Sequence, residues 1–153
     1  MNIEVEWSQP IPMRRLRTVG YSVDLVRVPE AAGVYVLGRR WGEHFEASYV
    51  GKALDIRARI NGQLNNRRLM THVREAKVGN RVLVAGVILT KGGQKIEKCL
   101  TLVERALVQH FLSAGDDLVN AQGTHLRRHV ISSTQTPRWL VPKEMYLDSS
   151  DSA

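Results

Sequence analysis

The sequence predicts an α+β domain whose small, mainly antiparallel three-stranded sheet is flanked by helices. Short runs rich in β-branched residues indicate three strands, and stretches with apolar residues at helical spacing indicate three helices. These elements follow the order β-β-α-α-β-α along the chain, which is typical of the α+β class. The chain has 153 residues, of which 43% are hydrophobic and 24% are charged. This balance is that of an ordinary globular protein and excludes a fully disordered or fibrous chain.

The first two predicted strands form a hairpin. Residues 33–37 and 47–50 are short apolar runs of β-forming residues, whereas residues 38–46 between them are rich in glycine and charged residues. Two short strands separated by a nine-residue loop favour antiparallel pairing.

Two helices are predicted after the hairpin. Asp55 is a suitable N-cap, and Ile56, Ile60 and Leu64 then fall on one face at helical spacing. A second, more polar helix is predicted over residues 68–77.

The third strand and the last helix complete the predicted core. Residues 82–89 are a nearly continuous apolar run, and the lack of alternation indicates a strand covered on both faces. Residues 97–112 show the clearest helical periodicity, and Gly115 lies where a C-terminal cap would fall.

Three segments are predicted along the chain. Residues 1–30 are an N-terminal extension punctuated by proline and glycine, with a candidate edge strand at residues 3–7. Residues 31–122 form the core domain, and residues 123–153 form a basic C-terminal extension and tail.

Cysteine content and hydropathy bear on the compartment. The single cysteine, Cys99, excludes an internal disulfide and a multi-cysteine metal site. No apolar run approaches the ~18 to 20 residues of a membrane-spanning helix, so no membrane association is predicted. We therefore expect a reducing, cytoplasmic setting.

Positive charge is concentrated in one part of the chain. The formal net charge is +7, and residues 52–81 alone hold eight basic residues against two acidic ones. Clustered arginine and lysine is the footprint of a polyanion partner, most often nucleic acid, although a solvated helix face is the simpler alternative. The candidate phosphate contacts, two of them from the C-terminal extension, are Arg57, Arg67, Arg68, Arg74, Arg127 and Arg128.

Glu104 occupies an unusual position on the last predicted helix. It follows Leu100 by four residues and precedes Leu107 by three, so it lies inside the apolar stripe. A carboxylate there is partly desolvated and needs a cation or a metal ion. The alternative is a helix-edge glutamate that reaches solvent or pairs with an arginine.

Polar residues of the hairpin and the first helix are also candidates. Arg59 and Gln63 share one helix face at i, i+4, near a helix N-terminus that favours an anion. An arginine there can hold a phosphate through two hydrogen bonds, although a plain surface arginine is the alternative. Tyr35 and Tyr49 lie one on each strand, and alone they would be ordinary strand tyrosines.

The tyrosines lie within a longer pattern. Gly33-Val34-Tyr35, followed after thirteen residues by Tyr49-Val50-Gly51, resembles the signature of the GIY-YIG nucleases, with valine in place of isoleucine. Residues 49–59 look especially like the nuclease domain of the excision-repair UvrC proteins. The resemblance covers about residues 31–122 and includes the order of the predicted elements.

The resemblance implies roles for specific residues. The family's essential arginine corresponds to Arg59, its metal-binding glutamate to Glu104, and a further family asparagine to Asn120. Where the family usually has tyrosine or histidine four residues after the arginine, this chain has Gln63, which cannot take up a proton. Gln63 is then either an orienting group or is replaced by another residue, for which His72 is the nearest candidate in sequence.

The activity implied by the resemblance is hydrolysis of DNA phosphodiester bonds with a single Mg²⁺, for which Mn²⁺ is expected to substitute. Glu104 would hold the metal and Arg59 would neutralise charge on the phosphate. Tyr35 would activate the attacking water, helped by Tyr49 and Lys52. DNA is the expected partner, with a targeting protein or a homodimer as further possibilities.

Two other functions are compatible with the sequence. Gln63 motivates a catalytically weakened or inactive nucleic-acid-binding module on the same scaffold. An α+β adaptor whose two triplets are accidental is the other. The preferred DNA structure, the choice between DNA and RNA, the pathway and the oligomeric state stay open.

Overall fold

The computed structural model describes residues 1–76, 78–121, 126–135, 137 and 139–150. The fold is α+β with antiparallel strand pairing, as predicted. Its helices are α1 (Ile56–Gln63), α2 (Arg67–Glu75) and α3 (Ile96–Ser113), with short 3-10 helices at Leu25–Arg27 and Val119–Ala121. Its strands are β1 (Glu4–Trp7), β2 (Ile11–Pro12), β3 (Arg14–Arg15), β4 (Tyr21–Ser22), β5 (Gly33–Trp41), β6 (His44–Ala53), β7 (Asn80–Leu89), β8 (Leu126–Ser132) and β9 (Glu144–Ser150).

The main sheet is larger than the predicted three strands. Its order is β1-β7-β5-β6, and β2 pairs with β7 beside β1. The expected edge strand near residues 3–7 is confirmed as β1. Strands β1 and β2 of the N-terminal segment therefore supply hydrogen-bonding partners for the backbone of the second edge of β7.

The hairpin of β5 and β6 is longer than predicted. The prediction of a nine-residue loop is wrong. Strand β5 continues to Trp41 and β6 already begins at His44, and the two are joined by a tight turn at Gly42, whose φ is 56°. The charged residues that suggested a loop pair across the strands, and Arg39 contacts Glu46 at 2.7 Å. Opposite charges on facing residues stabilise such a pair of strands.

The helices begin and end close to their predicted bounds. The Asp55 side chain caps α1 by accepting a hydrogen bond from the Ala58 backbone N–H at 3.2 Å. Asn66 caps α2 in the same way through the Leu69 N–H at 3.1 Å. Helix α3 extends the predicted helix by one residue at each end.

Helices cover both faces of the sheet. Tyr35 and Leu37 of β5 belong to the cluster that contains the buried residues of α1 and α2. Val36 of β5 lies in a second cluster with residues of α3. This double cover explains the apolar, non-alternating sequence of β7.

The C-terminal segment forms a separate two-stranded hairpin of β8 and β9. It contacts α3 through a hydrogen bond from Gln109 Nε2 to Asp148 Oδ2 at 3.0 Å. Trp139, between the two strands of this hairpin, is 84% exposed. No helix in the described part of the chain has the length and apolar character of a membrane span.

Candidate functional site

The two motif tyrosines lie on one face of the β5–β6 hairpin. Tyr35 faces Gly51 and Tyr49 faces Leu37 in the strand register, and the two rings have centroids 5.9 Å apart. Tyr35 is buried, whereas Tyr49 is half-buried. The pair therefore has an inner and an outer member.

The motif glycines are required by packing. A Cβ on Gly51 would lie 2.3 Å from Cζ of Tyr35, so the ring of Tyr35 occupies the space that a side chain would need. A Cβ on Gly33 would lie 2.0 Å from the carbonyl oxygen of Gly86 on β7. Each glycine allows a close approach that no other residue permits.

Gln63 connects the two phenols. Its Nε2 donates to the hydroxyl oxygens of Tyr35 at 3.2 Å and Tyr49 at 3.3 Å. Its Oε1 accepts from Nδ2 of Asn66 at 3.2 Å, so the amide is oriented by the residue that caps α2. Gln63 thus acts as a hydrogen-bond donor to both tyrosines, which is the orienting role left open by the sequence.

The environment of Tyr35 favours its neutral form. Burial raises the pKa of the Tyr35 phenol above its ordinary range, and the neighbouring Tyr49 raises that pKa further. The hydrogen bond from Gln63 and the charge of Arg59 oppose this effect without reversing it. A buried neutral phenol is poorly suited to the water-activating role expected of Tyr35.

A cleft of about 450 Å³ lies beside the outer tyrosine. It is lined by Tyr49, Lys52, Ala53, Leu54, Arg59, Glu97, Leu100, Thr101 and Glu104. A second cleft of about 590 Å³ adjoins it, shares Arg59 and reaches Gln63. The structure therefore brings together four of the predicted site residues from β6, α1 and α3.

An ion pair occupies one wall of this cleft. Lys52 Nζ lies 3.3 Å from Glu104 Oε1 and donates to Thr101 Oγ1 at 3.1 Å. Glu104 is half-buried, and its predicted need for a cation is met here by Lys52.

Arg59 differs from the charged residues around it. It is exposed, it lines both clefts, and its side chain makes no hydrogen bond or ion pair with any residue that the structure describes. Its five side-chain N–H donors therefore have no acceptor among these residues.

The cleft offers oxygen ligands for a divalent cation. Glu97 and Glu104 both line it, seven residues apart on α3. Within the described ranges, no group of three or more histidine, cysteine, aspartate or glutamate side chains is placed to hold a metal. One or two carboxylates completed by water suit Mg²⁺, so this donor set fits the expected metal.

Two predicted supporting residues lie away from the cleft. Asn120 Nδ2 donates to the carbonyl of Val50 at 2.9 Å, which fixes the backbone of the second triplet. His72 Nε2 lies 3.2 Å from the carbonyl of Asp117, in a different cavity of about 400 Å³. His72 therefore does not replace Gln63, and that expectation is wrong.

Two of the six predicted phosphate contacts, Arg57 and Arg74, donate to other residues of the fold. Arg57 donates to the carbonyl oxygens of Val28 at 2.8 Å and Val26 at 3.2 Å, and it pairs with Glu30. Arg74 donates to the carbonyl of Thr18. The expectation that these two arginines track a nucleic-acid backbone is not supported, because each guanidinium is already held by at least one acceptor of the fold.

The remaining predicted contacts differ from one another. Arg67 and Arg68 are exposed on the first turn of α2. Arg128 forms two hydrogen bonds with Asp148, at 2.9 and 3.0 Å, and thereby holds the pKa of that carboxyl at about 2. The side chain of Arg127 lies outside the described residues.

Sequence reasoning missed two residues of the cleft. Glu97 and Thr101 line it together with Glu104. Their spacing of i, i+4 and i+7 places all three on one face of a helix, and that pattern was available in the sequence. Comparison of the chain with protein-family models, with curated proteins and with solved structures found no match.

Proposed function

We propose that the chain is a metal-dependent endonuclease of the GIY-YIG type that hydrolyses DNA phosphodiester bonds, with β5, β6, α1, α2, β7 and α3 as its catalytic unit. The observation that carries the proposal is the convergence of Tyr49, Lys52, Arg59 and Glu104 on one cleft. These residues are separated by up to 55 positions in sequence, and the motif resemblance singled them out independently of their geometry.

Arg59 binds the scissile phosphate in this proposal. It lines the cleft, its guanidinium has no acceptor within the described part of the chain, and its planar donors match two phosphate oxygens at once. Negative charge increases on the phosphoryl oxygens during hydrolysis, so a fixed cation there lowers the barrier.

Glu104 would hold the divalent cation through a carboxylate oxygen, with water completing the coordination. A Mg²⁺ ion held there would supply a positive charge that polarises a phosphoryl oxygen and stabilises the departing 3′ oxygen. Lys52 Nζ, which lies 3.3 Å from Oε1 of Glu104, orients this carboxylate along the wall of the cleft. The same ammonium is also available to the substrate phosphate.

Tyr49 orients the attacking water. Its hydroxyl receives a hydrogen bond from Gln63, and it lines the cleft together with Lys52. Tyr35, which the family analogy ranked first, lies behind it and is a positioning residue, because it is buried and its pKa is raised. The amide of Gln63 ties the two phenols together and does not itself exchange a proton.

A nucleic-acid-binding module without catalysis is the second candidate. The absence of a titratable side chain at position 63 favours it, as does the ion pair in which Lys52 already engages Glu104. This candidate predicts salt-dependent DNA binding without cleavage.

The experiment is nicking of supercoiled plasmid at low salt with Mg²⁺, with Mn²⁺ and with EDTA. We expect metal-dependent conversion to open circle by the parent and loss of this activity in Glu104→Gln. Glu43→Gln, at an exposed turn outside the cleft, is the matched control and should cut like the parent. Plasmid that is retarded on a gel but never nicked favours the binding module, and cleavage by Glu104→Gln at the parental rate refutes the site.

A further inference from the structure

The hydrogen bonds of the basic residues indicate which of them are available to bind a polyanion. In the region with the largest excess of positive charge, Arg57 and Arg74 donate to backbone carbonyls. Arg81 donates to the carbonyls of Val73 and Gly79 at 3.0 and 2.6 Å. Guanidinium groups held by carbonyls of the fold are less available to a phosphate, so other cations are the better candidates for phosphate contacts.

Helix α3 carries two such cations next to the cleft. Lys98 and Arg105 directly follow Glu97 and Glu104, the two carboxylates that line the cleft. Both are exposed, and neither side chain makes a hydrogen bond or ion pair with any residue within the described ranges.

Helix geometry places these two side chains on one ridge. A separation of seven residues returns to nearly the same face, about 10.5 Å farther along the axis. Lys98 and Arg105 each lie about 100° around the helix axis from the glutamate that precedes them. Cys99, which is fully buried, lies about 100° beyond Lys98 in the same direction. The ridge therefore runs along the solvent side of α3, parallel to the wall of the cleft.

The ridge has a defined end. Four residues after Arg105, Gln109 bonds Asp148 of the C-terminal hairpin, so the hairpin covers the next turn of α3. A strand that leaves the cleft along α3 thus passes Lys98 and Arg105 and then meets the hairpin. Arg59 reaches the same cleft from α1 on the other side.

We infer that the α3 ridge formed by Lys98 and Arg105 holds the phosphate backbone of the DNA strand beside the cleft. It does so in preference to Arg67 and Arg68 on α2, which line neither cleft, whereas Lys98 and Arg105 directly follow residues that line one. This inference rests on the proposed function and adds the path of the substrate to it. Contacts of this kind are independent of sequence and sensitive to salt.

The test is fluorescence anisotropy of a short labelled DNA duplex over a series of salt concentrations, in EDTA so that no cleavage occurs. For Lys98→Gln/Arg105→Gln we expect weaker binding. The slope of log K against log salt should also be smaller in magnitude by about 1.8, since each of the two lost phosphate contacts removes ~0.9 from it. Arg67→Gln/Arg68→Gln removes the same charge from α2 and should leave the slope near the parental value.

The outcomes separate the two proposals. An unchanged slope in Lys98→Gln/Arg105→Gln overturns the inference that the α3 ridge binds DNA. An equal loss of slope in both double variants does the same. In either case the nuclease proposal stands if the parent still nicks plasmid. A parent that neither binds the duplex nor nicks plasmid overturns both. Circular dichroism of each variant establishes that the fold is retained.

Discussion

The ring of Tyr35 lies against Gly51, the residue that faces it across the β5–β6 hairpin. A Cβ on Gly51 would be 2.3 Å from Cζ and 2.4 Å from the hydroxyl oxygen of Tyr35. The last glycine of the second triplet is therefore present because the tyrosine of the first triplet crosses over it. The two triplets form one packing unit that places the Tyr35 hydroxyl next to Gln63.

Gly51→Ala should destabilise the protein. The added methyl group meets a buried ring that has no space to move, and overpacking of this kind costs about 1–3 kcal/mol. Urea denaturation gives the free energy of unfolding. Gly62→Ala, in open space on α1, is the control and should stabilise by about 0.5 kcal/mol. Equal stability of Gly51→Ala and the parent would show that the ring is not held where the structure places it.

Tyr35 should remain a phenol in the folded protein at a pH where exposed tyrosines ionise. Its pKa is raised by burial above the ordinary value of about 10. Because the folded-state pKa is the higher one, the stabilising contribution is complete below about pH 10 and is lost as the pH rises from there through the folded-state pKa. The stability of Tyr35→Phe should therefore fall less steeply with alkaline pH than that of the parent.

Ultraviolet titration of the tyrosines checks the same point directly. While the fold persists, the parent and Tyr35→Phe should show the same increase in tyrosinate absorbance near pH 10. A smaller increase in Tyr35→Phe would mean that Tyr35 ionises normally.

Gln63→Leu should reduce cleavage more than DNA binding. The substitution removes the donor that orients both phenols but does not remove a cation from the cleft. We expect cleavage to fall by about tenfold or more, with affinity for duplex DNA changed by less than about twofold. Single-turnover rates and anisotropy measure the two quantities. Gln63→His, which keeps a ring N–H donor, should retain most activity, and full activity in Gln63→Leu would remove Gln63 from the account.

The core elements could be predicted because their apolar periodicity is strong. The capped helix after Asp55 and the apolar run that became β7 both have clear signals. The outer half of the hairpin has no such apolar signal, because it contains charged residues such as Arg39 and Glu46 and therefore resembles a loop. Only the structure shows that these two residues pair across the strands. Strands of two residues, such as β2, are too short to show any period.

The candidate site was only partly predictable for a similar reason. Spacing indicated that Arg59 and Glu104 are unusual, and the structure brings both to one cleft. The role of Arg57 could not be predicted, because its acceptors include the backbone carbonyls of Val26 and Val28. Every residue has a backbone carbonyl, so the sequence does not show which ones accept a hydrogen bond from an arginine. Charge counting therefore assigned a structural arginine to the surface.

Arg57 and Arg59 provide a matched pair within one helix. Arg57→Gln loses its ion pair and two carbonyl acceptors, so it should destabilise the protein by about 2 kcal/mol. Arg59→Gln loses no side-chain hydrogen bond or ion pair with the described residues. Its free energy of unfolding should therefore lie within about 0.5 kcal/mol of the parental value.

The most direct measurement is the rate of Mg²⁺-dependent plasmid nicking by the parent and these two variants, at a temperature where all three are folded. We predict that Arg59→Gln loses about a hundredfold or more in rate. Arg57→Gln should stay within about threefold of the parent, because it touches neither cleft. A parent that does not nick, or an Arg59→Gln variant that nicks at the parental rate, would contradict the assignment of this cleft as a nuclease site.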